Sequence, residues 1–133
     1  MFEGKLAPLT DQIIKAFYKV YNTLGYGFRE KVYENALTLE LREMGLNVTQ
    51  QRQIVVYYHR QVVGEYFADL VVEDAVVVEI KAAKQIVEEH QAQLLNYLKA
   101  TTFEVGLLFN FGYKPAFKRQ VFDNELKRYE PKA

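Results

Sequence analysis

Tyr66-Phe67-Ala68-Asp69-Leu70-Val71-Val72-Glu73-Asp74-Ala75-Val76-Val77-Val78-Glu79-Ile80-Lys81 decides how the rest of the chain is read. Two runs rich in valine, leucine and aromatics flank a short acidic turn, the pattern of a β-hairpin. Three charged residues interrupt it: Asp69 in the first run, then Glu79 and Lys81 at the end of the second. Side chains alternate faces along a strand, so Glu79 and Lys81 share a face while Ile80 points the other way. Charges on strands this apolar are costly unless paired or bound to a cation. The spacing Asp-x9-Glu-x-Lys therefore marks a candidate metal and phosphate site. A plain salt-bridge cluster is the other reading of the same three residues.

Register makes the first reading specific. A turn of Glu73-Asp74 alone would set Asp69 against Val78 and turn Glu79 to the wrong side. A loop of Glu73-Asp74-Ala75 sets Asp69 opposite Glu79, and a slip of one residue would flip every side chain. The odd-length loop is expected, with Asp74 in the left-handed region that Asp tolerates.

The chain has 133 residues, half of them hydrophobic and 14% aromatic. That suits one folded domain, residues 1–133, with a core of its own. The absence of cysteine excludes disulfides and thiolate metal sites and fits a reducing cytosol, so a cytoplasmic location is expected. The apolar runs are too short for a membrane span, and Met1-Phe2-Glu3-Gly4-Lys5 has no signal-peptide core. Lys plus Arg and Asp plus Glu number 17 each, which is not the footprint of a strongly basic nucleic-acid binder. From Tyr113 onward, bases outnumber acids; this edge suits a phosphate backbone and equally a solvated tail.

Taken in order, Thr10 is an expected N-cap for a helix whose apolar positions run from Ile13 to Leu24, ended by Gly25. A second helix is expected from Phe28 to Met44, stopped by Gly45. Its stripe is Tyr33, Leu37, Leu41 and Met44, widened by Val32 and Ala36. At about 100° per residue, Glu30 falls near the centre of that stripe and Glu34 about 40° to one side. An acid in line with a buried stripe needs a partner, which makes Glu30 a second functional candidate. The competing reading is a first-turn glutamate favoured by the helix N-terminus. Leu46 to His59 reads as a long strand whose polar middle, Thr49 to Gln53, suits an exposed edge. A turn at His59-Arg60-Gln61 and strands Val62 to Val72 and Val76 to Ile80 complete a meander, with His59 on the surface. A helix from Val87 to Ala100 follows, with Leu94, Leu95 and Leu98 facing the core and His90, Gln93 and Tyr97 on one stripe. Phe103 to Phe111 is a hydrophobic strand in which Gly106 signals a bulge or close packing. Ala116 to Phe122 suits a last edge strand, with a short helix or a frayed tail after Asn124.

This order of elements resembles the PD-(D/E)XK phosphodiesterase superfamily. Asp69 matches that motif's aspartate, with Ala68 where the namesake proline often sits. Glu79-Ile80-Lys81 matches its (D/E)-x-K, and Gln93-Leu94-Leu95-Asn96-Tyr97 matches the Q-x-x-x-Y helix of RecB-like members. Gly27-Phe28-Arg29-Glu30-Lys31-Val32-Tyr33 is a literal G-x-x-E-x-x-Y and resembles the small bacterial GxxExxY family. The resemblance spans about Leu9 to Phe111. It implies an α/β, restriction-endonuclease-like fold: an αβββαβ core with a mixed central sheet flanked by helices, preceded by an extra N-terminal helix.

It also implies a nuclease dependent on Mg²⁺ or Mn²⁺. Asp69 and Glu79 would ligate the metal with the Ile80 carbonyl, and Glu30 would add a metal or water contact, with Glu34 as its substitute. Lys81 would orient water or offset charge, and Gln93 and Tyr97 would position the site or the nucleic-acid backbone. The implied partner is nucleic acid, DNA ahead of RNA, with no membrane. A homodimer paired through the aromatic-rich strands and the first helix, or a separate partner subunit, is expected to help grip a duplex. The alternatives carried forward are a catalytically silent nucleic-acid-binding or scaffold protein of the same fold, and a subunit of a larger nuclease.

Overall fold

The computed structural model describes residues 4–128. The first helix, α1, spans Ala7–Leu24, and the second, α2, spans Glu30–Glu43. α1 starts earlier than Thr10 suggests because Pro8 lies in its first turn, where a missing N–H costs nothing. Thr10 sits inside the helix, its hydroxyl donating to the Ala7 carbonyl at 3.1 Å. α2 is narrower than expected: Tyr33, Leu37 and Leu41 are fully buried, whereas Val32 and Met44 are exposed.

Strands β1 (Val48–Tyr58), β2 (Gln61–Val72) and β3 (Val76–Lys81) form the meander. Helix α3 (Glu88–Ala100) then crosses over to β4 (Val105–Phe111), and β5 (Pro115–Val121) follows. The strands lie side by side in chain order in one sheet, antiparallel except for the parallel pair β3–β4. This is the mixed sheet of an αβββαβ core with an added N-terminal helix, as expected.

Alternation divides the core between two faces. Leu70, Val72, Val76, Val78, Ile80, Leu107 and Phe109 pack under α1 and α2. Val71, Val77 and Leu108 point the other way, under Leu94, Tyr97 and Leu98 of α3. Phe17 of α1 stacks on Phe109 with ring centroids 4.3 Å apart, and Tyr33 of α2 on Phe111 at 4.2 Å. The first helix thus uses its apolar face on its own sheet. Gly106 is a site of close packing, since a Cβ there would lie 2.7 Å from Leu94 Cδ1.

The pairing Val72↔Val76 leaves Glu73-Asp74-Ala75 as the loop, with both Glu73 (φ 54°) and Asp74 (φ 49°) left-handed. β2 pairs with β3 only as far as Leu70↔Val78; its earlier half runs on with β1 alone as a two-stranded ribbon. A turn of His59 (φ 49°) and Arg60 (φ 63°) closes the ribbon, so Gln61 belongs to the strand and not to the turn. Among the described residues, no helix is long and apolar enough to cross a membrane.

Candidate active site

Beyond Leu70↔Val78 the β2 and β3 backbones stop pairing, and two carboxylates occupy the gap. Asp69 N–H donates to Glu79 Oε2 at 3.1 Å, and Ile80 N–H donates to Asp69 Oδ2 at 2.8 Å. Each acid thus replaces a ladder hydrogen bond that the diverging strands no longer make. The three-residue loop sets this up, because it brings Asp69 level with Glu79 where the pairing ends.

Glu79 is buried at 3% exposure, and its carboxyl is pushed up to about 9. Burial is the main cause, the charge of Asp69 is next, and Lys81 acts weakly in the opposite direction. Tyr97 closes the site from α3. Its hydroxyl accepts a hydrogen bond from Gln93 Nε2 at 2.8 Å and contacts the Glu79 carboxylate. Burial, then Glu79, holds that hydroxyl well above the usual tyrosine range. His90, expected on the same stripe, acts elsewhere, its Nδ1 accepting the Val87 N–H at the helix start.

The second helix delivers a different glutamate from the one expected. Glu30 begins α2 and is exposed. Glu34, one turn later, is buried at 4% exposure. Its Oε1 accepts from Gln51 Nε2 at 2.8 Å, its Oε2 accepts from Gln50 Nε2 at 2.8 Å, and Lys31 Nζ lies 3.1 Å from Oε2. Gln51 Nε2 also lies 3.3 Å from Asp69 Oδ1, so one amide links the helix acid to the strand acid. The sequence reading missed Gln51. Its backbone is left-handed (φ 53°), an uncommon state for a residue with a Cβ. The signal was available only through the β1–β2 register, which sets Gln50 against Leu70 and Arg52 against Ala68, and so Gln51 against Asp69.

Among the described residues, no group of three His, Asp or Glu is arranged as a ready-made metal cage. The donors nevertheless suit a hard divalent cation, which takes carboxylate and carbonyl oxygens and often only one or two carboxylates. Asp69 and Glu79 offer those oxygens side by side, and the charge of Asp69 adds to burial in holding the Glu79 carboxyl up. The site stands at the carboxyl end of β3, next to the parallel strand β4, where open α/β sheets place ligands.

The family model described as the PD-(D/E)XK nuclease superfamily matches residues 7–121. No curated protein matches the chain. Among solved structures, an alkaline exonuclease (LHK-Exo) from Laribacter hongkongensis superposes with a TM-score of 0.53 at 15% identity, covering 93% of this chain and 74% of that one. The crystal structure of SSO0001 does so with a TM-score of 0.53 at 12% identity, covering 92% and 80%. At these identities the likeness is one of fold.

Proposed function

We propose that this chain, which belongs to the PD-(D/E)XK nuclease superfamily, is a metal-dependent phosphodiesterase that cuts nucleic acid at the Asp69–Glu79–Lys81 site. The observation that carries the reading is the reciprocal hydrogen bonding of Asp69 and Glu79 across the parted strands, which sets two carboxylates side by side with Glu79 buried. Asp69, Glu79 and the Ile80 carbonyl would hold Mg²⁺ or Mn²⁺. The bound cation would lower the pKa of a water and neutralise the phosphate.

The chain's own residues do the rest. Lys81 shares the face of Glu79 and offsets negative charge as water adds to phosphorus and the leaving P–O bond breaks. Glu34, through Gln51, fixes the orientation of Asp69 and is the α2 carboxylate of the site in place of Glu30. Tyr97, braced by Gln93, holds Glu79 from the side of α3.

DNA is the proposed substrate ahead of RNA, in the cytoplasm, with residues 1–133 acting as one domain. The run Gly27 to Tyr33 supports placing the chain with the GxxExxY group. A homodimer paired through the outer face of the β1–β2 ribbon, where Val63 and Phe67 are exposed, completes the proposal.

The test is incubation with labelled single- and double-stranded DNA and RNA in Mg²⁺, Mn²⁺ or EDTA. The expected result is metal-dependent cutting that falls at least about 100-fold in Glu79→Ala. Metal binding by the wild type without cutting any of the four would favour a silent binding protein or a subunit awaiting its partner. No cutting and no metal binding would overturn the proposal.

A further inference from the structure

Three loops meet at the carboxyl ends of β3 and β4, and side chains knit them together. Tyr33 of α2 holds the first, its OH donating to the Gly25 carbonyl at 2.6 Å, and Tyr21 of α1 holds the third, its hydroxyl 2.8 Å from the Gly112 carbonyl and 2.6 Å from that of Tyr113. Asn110, buried at 1% exposure, joins the second to β4, accepting from Ala83 N–H at 2.8 Å and donating to the Ala83 carbonyl at 3.0 Å. This bracing carries three aromatic rings on its rim. Tyr26, Phe28 and Tyr113 are 57%, 48% and 71% exposed. Tyr26 and Tyr113 lie edge to face with centroids 5.1 Å apart.

The same loops concentrate charge. These loops and the residues that flank them carry Arg29, Lys81, Lys84 and Lys114, with Lys31 already paired to Glu34, against the acid Glu30 and, at the start of α3, Glu88 and Glu89, in a chain whose net charge is zero. The rim is also close to the acids. Asn110 pairs with Lys81 in the β3–β4 register, and Tyr113 is three residues beyond it, a reach of at most about 10 Å even fully extended. Tyr33, which anchors Phe28 by a hydrogen bond from the Phe28 N–H at 3.2 Å, precedes Glu34.

We propose that this rim is a platform for single-stranded nucleic acid: Tyr26, Tyr113 and Phe28 stack unpaired bases while the surrounding cations take the phosphates. Exposed aromatic faces interleaved with cations hold a strand whose bases are free to stack, and a duplex hides those faces. The platform deepens the nuclease reading by assigning the strand type, and it rests on that reading only for what happens to the strand once held.

The test is fluorescence anisotropy in EDTA, where nothing is cut. The probes are labelled oligo(dT) and oligo(U) of about twelve nucleotides, within the span such grooves hold, and a mixed-sequence DNA duplex of equal length. Wild type is expected to bind a single strand at least tenfold more tightly than the duplex, the two single-stranded probes deciding between DNA and RNA. The pair Tyr26→Ala/Tyr113→Ala is expected to lose tenfold or more on the single strand, and the pair Tyr26→Phe/Tyr113→Phe to stay within twofold of wild type. Thermal melts of each variant establish folding. Unchanged single-strand affinity in the alanine pair, or equal loss in the phenylalanine pair, overturns the platform even if the wild type cuts in Mg²⁺. Single-strand preference lost with the tyrosine rings, in a wild type that neither cuts nor binds metal, upholds the platform and sinks the nuclease reading instead.

Discussion

At the scale of single residues, the site turns on which acids are buried and what they face. Glu79 is pushed up to about 9 from 4.5, chiefly by burial and then by Asp69. The folded form therefore keeps a proton that the unfolded chain gives up first, so this group's stabilisation is full below about 4.5 and is lost progressively toward 9. Metal-free protein is expected to melt at lower temperature as pH rises from 6 to 8.5, losing up to about 1.4 kcal/mol per pH unit from this group. Glu79→Gln should flatten the curve, and Mg²⁺ should raise the wild-type melting temperature more at pH 8.5 than at 6. Melts in EDTA and in Mg²⁺ check all three, and a wild-type curve as flat as that of Glu79→Gln would contradict the account. The two α2 acids separate as cleanly. Glu34→Ala should cut activity tenfold to about 100-fold by freeing Gln51 and Asp69, whereas Glu30→Ala should leave it within about twofold. Initial rates on one substrate decide it. The sequence made Asp69, Glu79 and Lys81 legible because charges on apolar strands stand out. It did not separate Glu30 from Glu34, since both lie near the same stripe and only tertiary packing settles which is covered.

At the scale of elements, two glycines set how closely β4 is approached from either side. A Cβ at Gly106 would meet Leu94 Cδ1 at 2.7 Å and Cγ at 3.1 Å, so Gly106→Ala must shift a buried side chain of α3. The expected cost is about 1–2 kcal/mol. A Cβ at Gly112 would meet the Ala83 carbonyl oxygen at 2.5 Å and Asn110 Nδ2 at 2.9 Å, backbone and a buried amide that cannot swing aside. Gly112→Ala is expected to cost more, about 2–3 kcal/mol, and to loosen the loop after Lys81. Urea titrations of both variants rank them, and the reverse order would show that the loop yields more easily than the core. The elements were read well where a local rule governs. Alternation fixed the hairpin loop at Glu73-Asp74-Ala75, and Gly25 and Gly45 ended their helices. They were read less well where a partner decides: β1 is the edge strand that its polar middle suggested, but the link from Gln51 to Glu34 and Asp69 depends on pairing with β2 and on reach from α2.

At the scale of the whole molecule, the ribbon of β1 and β2 stands apart from the sheet with Val63 61% and Phe67 48% exposed, two apolar side chains on one face. The proposed dimer uses that face, so wild type is expected to elute as a dimer in size-exclusion chromatography with light scattering. Val63→Glu/Phe67→Glu should elute as a monomer of unchanged melting temperature, and a monomeric wild type would remove the dimer. The packing across the sheet has a further consequence, for the order in which the molecule is made. Phe17 and Tyr33 rest on Phe109 and Phe111, and Tyr21 grips the Gly112 carbonyl from 91 residues away. A chain emerging from the ribosome can close the local hairpin, with Asp69 and Glu79 already opposed, well before β4 exists to receive the two helices. Contacts this distant in sequence slow folding. The carboxylate pair is thus a contact the chain can make locally, while the helix that brings Glu34 to it packs on a strand synthesised much later.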